Sequence, residues 1–134
     1  MRGRLRVAAG TERGSAVAEF TLVSIVLVTL FLGVLQLGLV VHVRNTLVAC
    51  AAEGARHAAT ADRGLVDGER RAAQLVAETL SPRLAGDISS RYVDAGGSRV
   101  VEVEVTTTLP LLGLLGVDRG LTVRGHAVDE SALS

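Results

Sequence analysis

The 134-residue sequence predicts an α+β protein. A long N-terminal helix crosses a membrane once and continues into a small extracytoplasmic head with a second helix and about three antiparallel strands. Three observations carry this expectation. Residues 20–41 are apolar and uncharged, helical spacing continues beyond them to about Ala61, and after Pro82 the apolar period changes to two.

The span reads "FTLVSIVLVTLFLGVLQLGLVV" from Phe20 to Val41. As a helix it reaches roughly 33 Å, enough to cross the hydrocarbon core of a bilayer. Thr21, Ser24, Thr29 and Gln36 are tolerable within it, because hydroxyls bond back to their own helix and an amide can bond a neighbouring one. Arg2, Arg4, Arg6 and Arg13 precede the span, opposed there only by Glu12. By the positive-inside rule the N-terminus is cytoplasmic and the remainder lies outside the membrane.

Past the span, "HVRNTLVACAAEGARHAATADR" keeps helical spacing with no proline or turn cluster before Asp62. Leu47, Cys50, Ala51, Gly54, Ala55 and Ala58 form a smooth stripe of mostly small residues that lets another backbone approach closely. The segment "DRGLVDG" reads as a linker. A second helix is expected at roughly Gly68 to Leu80, with Ala72, Leu75, Val76 and Leu80 on its apolar face and Pro82 closing it. In "SRVVEVEVTTT", Val101, Val103 and Val105 alternate with Glu102, Glu104 and Thr106, one face buried and one wet. "LTVRGHAV" alternates likewise, and "ISSRYVD" before the turn "AGGS" is a shorter strand. The connection "LPLLGLLGVDRG" is unusually apolar, and its leucines at 109–117 either cap the core or form an exposed interaction patch.

Composition excludes several function classes. The net charge is +0, every basic residue is arginine, and aromatic content is 2%, so neither a basic patch nor a stacking platform for nucleic acid is present. One cysteine permits no internal disulfide and no clustered thiolate metal site. Cys50 is either a buried small hydrophobe or an intermolecular crosslink. His42, His57 and His126 are scattered, and no nucleophile has a positioned base. Glu102 and Glu104 are expected on the solvated face of a strand, not as a catalytic pair. No cofactor, metal or enzymatic activity is therefore expected. "LVAC" (Leu47 to Cys50) matches a lipobox, but a lipoprotein signal has a shorter apolar run directly abutting its cysteine, whereas His42 and Arg44 intervene here.

"RGSAVAEF" (Arg13 to Phe20) places a carboxylate at the mouth of the span. Near a helix N-terminus the dipole favours an acid there by roughly 0.3–1 kcal/mol. The arginine-rich leader, Gly14-Ser15, Glu19-Phe20 and the unbroken span resemble the class III signal of prepilins. With "QLG" (Gln36 to Gly38) and "AAEGARHAA" (Ala51 to Ala59), residues 13–61 resemble the TadE-like family of pseudopilins from tight-adherence (Flp-type) pilus systems.

The resemblance implies a pilin-like fold and cleavage by a prepilin peptidase between Gly14 and Ser15. It divides the chain into a leader at 1–14, a long helix at 15–61 and a head at 62–134. It also implies a minor pilin-like role in assembly of a tight-adherence type IV pilus. The partners would be membrane lipid, the peptidase, other pilins or pseudopilins and the inner-membrane assembly platform. Cleavage would create an ammonium at Ser15, with which Glu19 of a neighbouring subunit can pair to set the axial register, next to Phe20. The box Glu53, Gly54, Ala55 and Arg56 is expected to serve helix packing. Glu53 can reach Arg56 or His57, and Gly54 suits close contact with another helix. The alternative is an uncleaved single-pass anchor whose head binds a protein partner in the envelope.

Overall fold

The computed structural model describes residues 9–60, 62–109 and 119–130. Their elements are α1 (Ala9–Ala59), α2 (Leu65–Thr79), a 3-10 turn (Pro82–Leu84), β1 (Asp87–Ala95), β2 (Ser98–Leu109) and β3 (Arg119–Val128). The α+β class read from the sequence is the observed one. The leucine-rich connection lies at positions 110–118, outside the described residues. The chain divides into two units, residues 1–38 and 39–134.

In the first unit the described residues form a bare helix. Its most apolar stretch is 0% buried, with a mean hydropathy of 2.5, and this is the one helix among the described residues long and apolar enough to cross a membrane. Phe20 is 74% exposed and Phe31 66%. Thr21 and Thr29 donate to the carbonyls of Val17 and Ile25, at 2.8 and 2.7 Å, so both hydroxyls are satisfied within the helix. The helix starts at Ala9, not near Ser15, and Gly14 and Ser15 therefore sit inside it. Nothing in "AGTERGS" breaks a helix: Thr11 and Glu12 are tolerated, and proline is absent.

In the second unit, the rest of α1 carries the small-residue stripe into a core. Val43, Leu47, Cys50, Ala51, Ala55, Ala58 and Ala59 are buried with Ala72 and Val76 of α2, Val101, Val103, Val105 and Leu109 of β2, and Val123 of β3. The stripe is thus occupied within its own head. Two glycine sites make the approach possible. A Cβ on Gly54 would lie 2.7 Å from the Gly68 carbonyl and 2.8 Å from Ala72 Cβ, so α1 and α2 cross almost backbone to backbone. A Cβ on Gly125 would overlap the backbone of Ala51 and Ala52, which seats α1 directly on β3.

α2 begins at Leu65, three residues before the expected Gly68. The cause is Asp67, whose carboxylate accepts from the Gly64 N–H at 3.1 Å, one half of a capping box that turns most of the anticipated linker into the first helical turn. Ser90 ties β1 to this turn, its hydroxyl 2.6 Å from Glu69 Oε1 and 3.2 Å from the Leu65 carbonyl. Ser81 caps the following turn, accepting from Arg83 N–H at 3.3 Å.

The strands form one antiparallel meander in the order β1-β2-β3. Gly96 and Gly97, with φ of 67° and 89°, make the two-residue β1–β2 turn, a conformation that favours glycine at both positions. The odd-numbered residues of β2 face the helices. Its even-numbered residues face away and align in cross-strand rows: Arg91, Glu102 and His126; Ser89, Glu104 and Arg124; Asp87, Thr106 and Thr122.

Candidate functional site

The side chains of interest lie in three places, two of them singled out by sequence. Glu12 to Phe20 are all exposed on the first unit's helix. A Cβ on Gly14 would meet nothing within 4 Å, so no contact among the described residues explains the glycine. The Gly14–Ser15 bond lies in helical backbone. A protease binds its substrate extended, so the turn containing Gly14 must open before a cut there. Glycine lowers the cost of opening by about 1 kcal/mol relative to alanine. Glu19 has no ion-pair partner among the described residues, and Phe20 beside it is exposed as well.

The Glu53–Arg56 box splits into two halves. Gly54 and Ala55 point into the head, where Gly54 meets α2 and Ala55 is fully buried. Glu53 and Arg56 face outward. Arg56 Nε donates to Glu53 Oε2 at 3.1 Å, with the two side chains 65% and 46% exposed. An exposed pair at this spacing contributes about 0.2–0.5 kcal/mol. Its partner is Arg56, while His57 contacts Arg63. Cys50 is buried, and burial pushes its thiol pKa up, which disfavours the reactive thiolate.

The third place was missed by sequence reasoning. Glu102, expected in solvent, is a buried carboxylate whose side chain is 8% exposed. Arg91 and His126 stand directly opposite it on the flanking strands and, with Arg124, cover it. Glu102 pairs with Arg91 through one oxygen and with His126 Nε2, 2.6 Å away, through the other. Burial alone would raise its pKa, but the His126 hydrogen bond and the positive charge of Arg91 outweigh that and hold it below the ordinary carboxylate value. Arg124 donates to Glu104 at 2.6 Å, and this hydrogen bond raises its pKa further. The alternation of Glu and Val signalled a wet face, but not that basic residues on both neighbouring strands would close over its centre.

At the other end of the sheet, Arg99 Nε lies 2.7 Å from the buried Asp129 carboxylate, and its guanidinium lies 4.9 Å from the centroid of the Tyr92 ring. The arrangement is a structural clamp: Asp129 N–H also donates to the Arg99 carbonyl at 2.9 Å. Among the described residues, no group of three or more His, Cys, Asp and Glu side chains is placed to hold a metal ion.

Residues 14–56 match a family model described as TadE-like protein. The chain carries a TadE-like segment. That segment opens on Gly14 and ends on Arg56, so it contains both the Gly14-Ser15/Glu19-Phe20 signature and the whole Glu53-Gly54-Ala55-Arg56 box. It therefore covers the helix from the candidate processing site to the outward half of the box, while α2 and the sheet lie beyond it. No curated protein and no solved structure matches the chain.

Proposed function

We propose that the protein is a minor pilin-like (pseudopilin) subunit needed for assembly of a tight-adherence type IV pilus, acting by helix packing and not by catalysis. The observation that carries this reading is the TadE-like match, which begins at the glycine where a prepilin peptidase would cut. The peptidase removes residues 1–14, and Ser15 becomes the mature N-terminus in the cytoplasmic membrane. Lipid surrounds the apolar span, the head stands outside, and the other pilins and the assembly platform are its protein partners.

Two physical features support an assembly role. Glu19 lacks a partner among the described residues, and an unpaired carboxylate at the edge of a hydrocarbon layer is unfavourable. The new ammonium of Ser15 on a neighbouring subunit supplies the opposite charge, and the pair sets the stagger between subunits. The Glu53–Arg56 pair is presented outward from a helix whose opposite face is locked into the head, so it can meet a neighbour without disturbing the core.

The test is complementation of a deletion strain with Glu19→Ala. Pilus number should fall at least tenfold, while the protein remains in the membrane fraction at normal abundance and processing continues. Normal piliation by Glu19→Ala would show that Glu19 does not set subunit register.

A further inference from the structure

Gln36 is a polar side chain that the fold leaves without a partner in the most apolar part of the molecule. Where Thr21 and Thr29 satisfy their hydroxyls on their own helix, the Gln36 amide has no hydrogen-bond partner among the described residues. It stands about 8 Å inside the C-terminal end of the apolar run, at 1.5 Å of rise per residue. Helical side chains tilt toward the helix N-terminus, so this one is directed deeper into the hydrocarbon and away from the nearer interface. Water cannot satisfy the amide at that depth, and a second helix can.

An independent observation lies one turn away. Gly33 occupies a helix interior, where glycine is disfavoured, and a Cβ there would meet nothing within 4 Å. No contact among the described residues accounts for it. Leu22, Val26, Thr29, Gly33 and Gln36 recur at spacings of four and three, so the glycine and the amide share one face of the helix. A glycine beside an amide admits a second backbone close enough for a side-chain hydrogen bond.

We propose that this face pairs with the same face of a second copy of the chain. Two copies inserted in the same orientation bring their Gln36 side chains to the same depth. Because an amide both donates and accepts, the two satisfy each other by reciprocal hydrogen bonds across a twofold axis. Any other helix would need its own polar group at that depth, which the second copy has by construction. The proposal rests on the reading of residues 20–41 as a membrane span.

The experiment uses the full-length protein in a Cys50→Ser background, reconstituted in phosphatidylethanolamine/phosphatidylglycerol vesicles. Thr29→Cys and Gly33→Cys should form disulfide-linked dimers on oxidation, and Leu27→Cys and Phe31→Cys, on the opposite face, should not. Energy transfer between labelled copies should weaken roughly threefold to tenfold in Gln36→Leu. It should also weaken in Gly33→Ile, where the isolated chain has room for the side chain, but not in Gly38→Ile on the far face. Equal crosslinking on all faces, undiminished transfer in Gln36→Leu, or pairing only when other pilins are added would each overturn the proposal. Retention in vesicles after carbonate washing, with no pairing, overturns it alone. Release by carbonate overturns the membrane reading together with it.

Discussion

The two units of the chain use one helix in two ways. Before Gly38, α1 exposes Val, Leu, Ile and Phe around its whole circumference, and none of its most apolar stretch is buried. Beyond Leu39 the same helix concentrates Leu47, Cys50, Ala51, Gly54, Ala55 and Ala58 on one side, and that side is the wall of a core. The difference is the one expected if, as proposed, the helix passes from a bilayer into water. Lipid accepts bulky apolar side chains in every direction and leaves their packing open. A water-surrounded head needs one narrow, smooth face, because α2 and the sheet must approach at backbone distance.

This contrast can be broken most directly with one substitution made in each unit. Leu47 is fully buried, so Leu47→Ala should destabilise the head by about 2–5 kcal/mol. Leu27, 64% exposed on the first unit's helix, should give no change in head stability when replaced by alanine. Chemical denaturation of the full-length protein in detergent micelles, followed by amide exchange of the head, reads both. Equal effects at the two positions would remove the distinction between the units.

A smaller effect sharpens the account of the head's outer face. The folded-state pKa of Glu102 is depressed, so its contribution is fully present above the ordinary carboxylate range and is lost as the pH falls through the lowered value. Head stability should therefore decline in acid, below about pH 4. Glu102→Gln should flatten that decline while lowering stability at neutral pH, since Arg91 loses its counter-charge. Denaturation midpoints measured at a series of pH values would show whether the two curves converge in acid.

The contrast also separates what local sequence could reveal from what it could not. The apolar helix was legible because no charge interrupts the sequence between Phe20 and Val41. The stripe was legible from helical spacing, and the β1–β2 turn from two adjacent glycines. Its partner was not legible: spacing shows that Gly54 meets a backbone, but only the fold shows that the backbone belongs to Gly68. Burial of Glu102 depends on Arg91 and His126, which pairing across three strands brings beside it. The closeness of Gly125 to Ala51 and Ala52 likewise depends on which strand lies under α1. Helix starts were misplaced because their cues were weak or remote. Nothing between Ala9 and Ser15 stops α1, and the capping acid of α2 sits inside what reads as a linker.

The same split bears on the TadE-like box. Gly54 and Ala55 have a complete explanation inside the head, through α2 and the core, so in the proposed function only the outward Glu53 and Arg56 are available for assembly contacts. At the N-terminal end the reverse holds. Gly14, Glu19 and Phe20 make no tertiary contact that explains them within the described residues, and the proposed function assigns them partners outside the chain.

The central claim is that Gly14 marks a cut and Ser15 a new N-terminus. Its most direct test is the intact mass of the membrane-extracted protein, expressed with its own prepilin peptidase and again with that peptidase inactivated. The account predicts loss of Met1 to Gly14 with active peptidase and a full-length chain without it. A full-length mass in both samples would contradict it.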